Sequence, residues 1–183
     1  MKFEQKNILL KNGLTAVLKC PEATDAKKML DYIKQACGET DFLARYPEEW
    51  ESVTEQSEQK WIESRVASPN ALLLACYVNG HIIGNCEITR MSGKKVCHRA
   101  TVAIAILRDF WSLGIGTAMF EAMLEAARKW AVDIVELEFV EGNDRARALY
   151  EKLGFFVVAQ RPNAFLAKDG SLRGEIFMQK HLS

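Results

Sequence analysis

Residues 114–131 carry apolar side chains at Ile115, Ala118, Met119, Ala122, Met123, Ala126 and Trp130, with Glu121, Glu125, Arg128 and Lys129 set against them. That spacing is the period of a helix with one buried face. The helix lies between two strand-like segments. Residues 98–107 end in Val102-Ala103-Ile104-Ala105-Ile106-Leu107, and residues 134–140 alternate as Ile-Val-Glu-Leu-Glu-Phe-Val. A helix between two strands acts as a crossover, and a crossover returns the second strand parallel to the first. The chain is thereby directed toward a sheet that contains a parallel pair and is covered by at least one helix.

The rest of the chain fits around that unit. Asn12-Gly13 separates two apolar runs within residues 5–20 and predicts a hairpin. Thr24 or Asp25 caps a helix reaching about Ala36, with Met29, Ile33 and Ala36 on one face. Residues 38–55 are irregular, and a second helix covers 55–67. Strands at 71–78, 81–90 and 98–107, joined by Asn79-Gly80 and by residues 92–95, read as an antiparallel meander. A helix from Asn143, with Ala146, Leu149, Tyr150 and Leu153 as its inner stripe, stops at Gly154. Strands at 155–160 and 174–181 complete the chain. The expected fold is a single α/β domain over residues 1–183: a mixed sheet, antiparallel in its N-terminal part, flanked by helices. A length of 183 residues suits one domain.

Composition narrows the function. Lys and Arg number 24, as do Asp and Glu, so the basic excess usual in nucleic-acid binders is missing and no nucleic-acid partner is expected. Five cysteines at 20, 37, 76, 86 and 97 form no CxxC pair, and His81, His98 and His181 have no metal-ligand spacing. Reduced thiols and no metal are the expectation. The N-terminus shows no signal peptide, and no apolar run approaches the roughly 20 residues needed to span a bilayer. These features predict a cytoplasmic protein without a membrane partner.

Two segments carry chemistry. Trp111-Ser112-Leu113-Gly114-Ile115-Gly116-Thr117 follows a strand and opens a helix, where unpaired amides and the helix dipole favour an anion such as a diphosphate. Gly-x-Gly before a helix is equally the mark of a tight turn. Walker A would require Lys where Thr117 stands, and the dinucleotide fingerprint a small residue where Met119 stands. The second segment runs from Asn143 to Phe155. Asn143 suits a helix cap. Tyr150 is either a core aromatic or a phenol that donates a proton to a leaving group.

Together, in this order and spacing, the strand ending Ile104-Ala105-Ile106, the loop from Trp111 to Thr117 and the segment Asn143–Phe155 resemble the GCN5-related N-acetyltransferase (GNAT) superfamily. The detailed resemblance covers about residues 98–160, and the order of elements agrees over nearly the whole chain. It departs at Trp111, where the family commonly has Gln or Arg. The resemblance implies a splay between strands 100–107 and 134–140 that takes acetyl-CoA. Main-chain groups of Ile104, Ala105 and Ile106 would meet the pantetheine arm, and the amides of Ser112, Leu113, Gly114, Ile115, Gly116 and Thr117 the diphosphate. It also places Asn143 at the arm and Tyr150 as general acid.

Glu138 matches the base position of relatives resembling ribosomal-protein alanine N-acetyltransferases, and alternation sets it opposite Leu137 and Phe139. Glu87 and a water are its rivals. Arg145, Arg147 and Lys152 either meet the adenosine 3′-phosphate or form a solvated helix face, and Phe42, Tyr46 and Trp50 either line an acceptor pocket or pack in the core. The expected activity is acetyl transfer to a primary amine, of a small molecule or a peptide, by direct attack in a ternary complex. An acyl-CoA binding or sensing domain of the same fold, another acyl donor and a nucleotide-binding module are the alternatives. Dimers are common among such look-alikes, so a homodimer is left open, although no residue pattern marks its surface.

Overall fold

The computed structural model describes residues 3–182. Its sheet has eight strands: β1 Lys6–Leu9, β2 Thr15–Lys19, β3 Ala71–Val78, β4 His81–Arg90, β5 Arg99–Ile106, β6 Ile134–Val140, β7 Phe156–Leu166 and β8 Leu172–His181. Their order is β1-β2-β3-β4-β5-β6-β8-β7. Four α-helices flank them: α1 Ala26–Glu39, α2 Glu55–Ala67, α3 Ile115–Lys129 and α4 Asp144–Lys152. The crossover through α3 makes β5 and β6 the parallel pair, and every other pairing is antiparallel. The mixed α/β sheet read from the sequence is the observed architecture.

Side-chain alternation along β4 sorts the helices to two faces. Asn85 and Glu87 meet Tyr32 of α1 and Arg65 of α2. A Cβ on Gly84 would lie 3.3 Å from the end of Met119 in α3. Thus α1 and α2 cover one face and α3 the other. The second face holds the aromatic centre of the core, where Phe120 packs edge-on against Tyr150 and Phe155, and Tyr150 against Phe139.

Local signals explain most boundaries. Asn79 and Gly80 both have positive φ and join β3 to β4 as a two-residue turn. Gly154, at φ 85°, ends α4, and the Phe155 N–H bonds the Tyr150 carbonyl at 3.0 Å. Asp25 stands just before α1, but its carboxylate takes the Glu22 N–H and the Tyr77 hydroxyl rather than a helix amide. The C-terminal strands are longer than expected. β7 continues six residues past Gln160, because Pro162 is tolerated at a sheet edge and the register shift between Arg161 and Phe165 absorbs Asn163 at φ 53°.

Candidate active site

The parallel pair is short. β5 and β6 pair only at Arg99–Ile134, Ala100–Val135 and Thr101–Glu136, then part. Backbone direction in the parted stretch follows from hydrogen bonds at its ends. The Arg99 carbonyl and the Leu107 N–H both bond toward β4, so odd-numbered residues of β5 face β4, and the main-chain groups of Val102, Ile104 and Ile106 face the gap. At the two ends of β6 the Asp133 carbonyl and the Glu141 N–H bond toward β8, which turns the Glu138 and Val140 main-chain groups to the same gap. Two unpaired strand edges thus confront each other.

A cavity of about 680 Å³ fills the gap. Its wall includes Ile104, Ala105, Ile106, Trp111, Ser112, Gly114, Gly116, Thr117, Glu138, Asn143 and Tyr150, all expected site residues. Leu113, Ile115 and Arg147 are not in the wall. Ile115 is buried in the core, and Leu113 packs against the core while its carbonyl accepts the Lys11 N–H at 3.3 Å. Arg147 pairs with Glu151 one turn on, at 2.8 Å. Helical rotation separates it by about 200° from Arg145, so the two cannot share a face.

The loop before α3 is shaped by Ser112 at φ 62° and Gly114 at φ 99°. Gly114 is the N-cap and no side chain caps the helix, so its first-turn amides have no side-chain partner. Trp111 pins this loop to the sheet. Its indole N–H donates to the Ile106 carbonyl at 2.7 Å, and Arg145 lies over its ring at 4.4 Å while donating to the Ser112 hydroxyl at 3.0 Å. The departure at 111 therefore has a structural reason. It also takes up one lone pair of Ile106, leaving the Ile104 groups and the Ile106 N–H as the freer partners for an added chain. Asn143 accepts the Ala146 N–H at 3.2 Å and caps α4 from the cavity wall.

The two candidate proton carriers reach the cavity from opposite faces of the sheet. Tyr150 comes from α4, on the face that holds Phe139; burial pushes its phenol up to about 12. Glu138 points to the α1 side. Burial raises its carboxyl above the ordinary range, Glu175 and Glu136 add to this, and Arg161 opposes it. Glu87 is not in the wall: it is bound by Arg65 and stands beside Thr89 on the α2 face. Of the three aromatics in the irregular segment only Phe42 lines the cavity. Tyr46 instead donates to the Leu166 carbonyl at 3.0 Å, and Trp50 lies under Arg45 at 4.9 Å.

Sequence reasoning missed Lys11, Phe165 and Glu175, which join the wall. Lys11 precedes the Asn12-Gly13 turn, and the other two are on β7 and β8, whose neighbours only the sheet order reveals. The cavity's cations sit around one end. Lys11 is tied to Leu113, Arg145 to Ser112, and Lys152 lies one turn from Leu149, which packs on Gly116. Glu138 and Glu175 are diagonal neighbours across β6 and β8, Phe165 is paired with Arg173 and Arg173 lies over Phe42, and Glu138, Glu175, Phe42 and Phe165 all line the cavity. Among the described residues no group of three or more His, Cys, Asp or Glu could hold a metal, and no helix is long and apolar enough to cross a membrane.

The sequence matches the acetyltransferase (GNAT) family over residues 38–155. No match is found among curated proteins. Similar solved structures include a GNAT-family acetyltransferase from Streptococcus pneumoniae, 23% identical, with a TM-score of 0.84 over 91% of this chain and 99% of that one. YncA from Salmonella typhimurium, solved with its cofactor acetyl-CoA, is 18% identical with a TM-score of 0.77 over 92% of this chain and 94% of its own. Ribosomal-protein-alanine N-acetyltransferase from Brucella melitensis is 21% identical, with a TM-score of 0.75 over 90% and 99%.

Proposed function

The chain belongs to the acetyltransferase (GNAT) family, and we propose that it moves an acetyl group from acetyl-CoA to a primary amine by direct attack in a ternary complex. The charge polarity of the cavity carries this reading. Lys11 and Arg145 lie by the 112–117 loop and Lys152 on α4 beside it, whereas Glu138 and Glu175 are neighbours on the paired strands β6 and β8, and all five line the cavity. An anionic donor and a cationic acceptor are drawn to opposite ends and meet between the parted strands. The residues fit the donor. The free amides before and within the first turn of α3 suit its diphosphate, and the open edge of β5 suits an amide-bearing arm as an added strand.

Bound there, acetyl-CoA supplies the acyl thioester, whose C–S bond is exchanged for a C–N bond. An alkyl amine arrives as an ammonium, with a pKa near roughly 10.4 in water. Glu138 takes the proton that frees the nitrogen lone pair, and the Tyr150 hydroxyl gives a proton to the departing sulfur. The Ile104 or Ile106 N–H is placed to stabilise charge on the acyl oxygen. The rate should fall on the acid side as Glu138 becomes protonated, through a limb above the ordinary glutamate value near 4.3 because burial raises this carboxyl. Glu138→Gln is expected to abolish that limb and lower the plateau by roughly 10²-fold. Initial rates against pH check this; a variant that keeps both limb and rate would pass the role to water.

A further inference from the structure

We propose that the acceptor is a short alkyl diamine. Glu138 receives the nitrogen that is acetylated, and Glu175 holds the second nitrogen as an ammonium. This rests on the acetyl-transfer reading above and adds the substrate class.

Glu175 carries the inference. It is 9% exposed, yet its only side-chain partner among the described residues is Arg161, which reaches Oε2 at 2.7 Å from the solvent side. Oε1 has no donor among those residues and is not one of the fully buried polar atoms left without a partner, so it opens on the cavity that Glu175 lines. A cation entering the cavity would pair with an oxygen of a carboxylate already largely withdrawn from bulk water.

The register sets the spacing. Val140 is opposite Glu175, and Glu138 is opposite Phe177. Glu138 and Glu175 are therefore diagonal neighbours on one face, with Cα atoms about 7–8 Å apart. Three backbone bonds span about 3.3–3.6 Å, so the five bonds between the nitrogens of 1,4-diaminobutane span about 6 Å. Phe42 and Phe165 in the same wall offer apolar surface to the methylenes. The remaining charged groups nearby are already engaged. Glu136 is held by Arg99 and Gln179, and Glu141 accepts from Gln160 and the Gly174 N–H. Arg161 stays on the rim. A monoamine of equal length would place a methyl group against the open oxygen of Glu175, and an amino acid would place a second carboxylate there. Both are disfavoured by the same unpaired charge.

The test is steady-state acetylation by the full-length protein of 1,4-diaminobutane, 1,5-diaminopentane and n-pentylamine, with acetyl-CoA binding followed separately by calorimetry. The diamines are expected to exceed n-pentylamine in kcat/KM by roughly 10- to 100-fold, the effect of one hydrogen bond to a charged group. Glu175→Gln is expected to remove most of that difference, through the KM of the diamines. Arg161→Ala, which removes a cation beside the two carboxylates but neither carboxylate, is expected to keep it. Should Glu175→Gln not fold, the comparison of amines on the unaltered protein and on Arg161→Ala decides. Equal use of n-pentylamine and the diamines, or a preference that survives Glu175→Gln, overturns the proposal. So does failure to acetylate any of the three amines while acetyl-CoA binds. Failure to bind acetyl-CoA would instead overturn the acetyl-transfer reading and this proposal with it.

Discussion

Tyr150→Phe is expected to lower turnover by roughly 10²-fold while leaving acetyl-CoA affinity within about twofold. The ring is a structural element, packed edge-on with centroids 5.5 Å from both Phe120 and Phe139. Phenylalanine keeps every one of those contacts. The hydroxyl is different: it makes no hydrogen bond to another described residue, so its loss leaves no partner stranded. Burial pushes the phenol up to about 12, which keeps the proton on the oxygen throughout the neutral range, where it can be offered to the departing sulfur as negative charge develops there. Steady-state rates and calorimetric titration on the same preparations separate the two effects. Unchanged turnover would remove Tyr150 from the reaction.

Gly116→Val is expected to weaken acetyl-CoA binding at least tenfold and to destabilise the fold by about 1–3 kcal/mol. From sequence alone, the reason for glycine here is room for a diphosphate. The structure adds a second reason. A Cβ at this position would lie 2.8 Å from Leu149 Cδ2 and 3.6 Å from Ile106 Cδ1, so valine would press the Leu149 side chain out of its place. Leu149 lines the cavity together with Asn143 and Arg145. Pairing Gly116→Val with Leu149→Ala distinguishes the two reasons. Relief of the contact should recover part of the affinity, with a coupling of about 0.5–3 kcal/mol. Simple additivity would return the glycine to the role of leaving space for the ligand.

The features legible in the sequence were local ones. The apolar stripe from Ile115 to Trp130 between two strand patterns dictated a crossover, and the crossover dictated the parallel pair. Asn79-Gly80 and Gly154 marked turns that the backbone makes with positive φ. What escaped was set by pairing across the sheet. Glu175 joins Glu138 only because β8 inserts between β6 and β7, and Glu87 is withdrawn because Arg65 reaches it from α2. The strand expected at 155–160 runs on to Leu166, because an edge position and a shifted register let β7 pass through Pro162. One signal was available and unused. Arg145, Leu149 and Lys152 recur at i, i+4 and i+7 and form one stripe, which leaves Arg147 on the other side of α4 with Glu151.

Acetyl transfer by this chain requires that the gap between β5 and β6 receive coenzyme A. Calorimetric titration of the folded protein with acetyl-CoA, with ATP and NAD as controls, measures that. The expected result is saturable binding of one acetyl-CoA per chain with micromolar affinity, about −8 kcal/mol at 1 μM, and far weaker binding of both controls. Absence of saturable binding by a protein shown to be folded, or equal affinity for ATP or NAD, would contradict the assignment of the parted strands and the 112–117 loop.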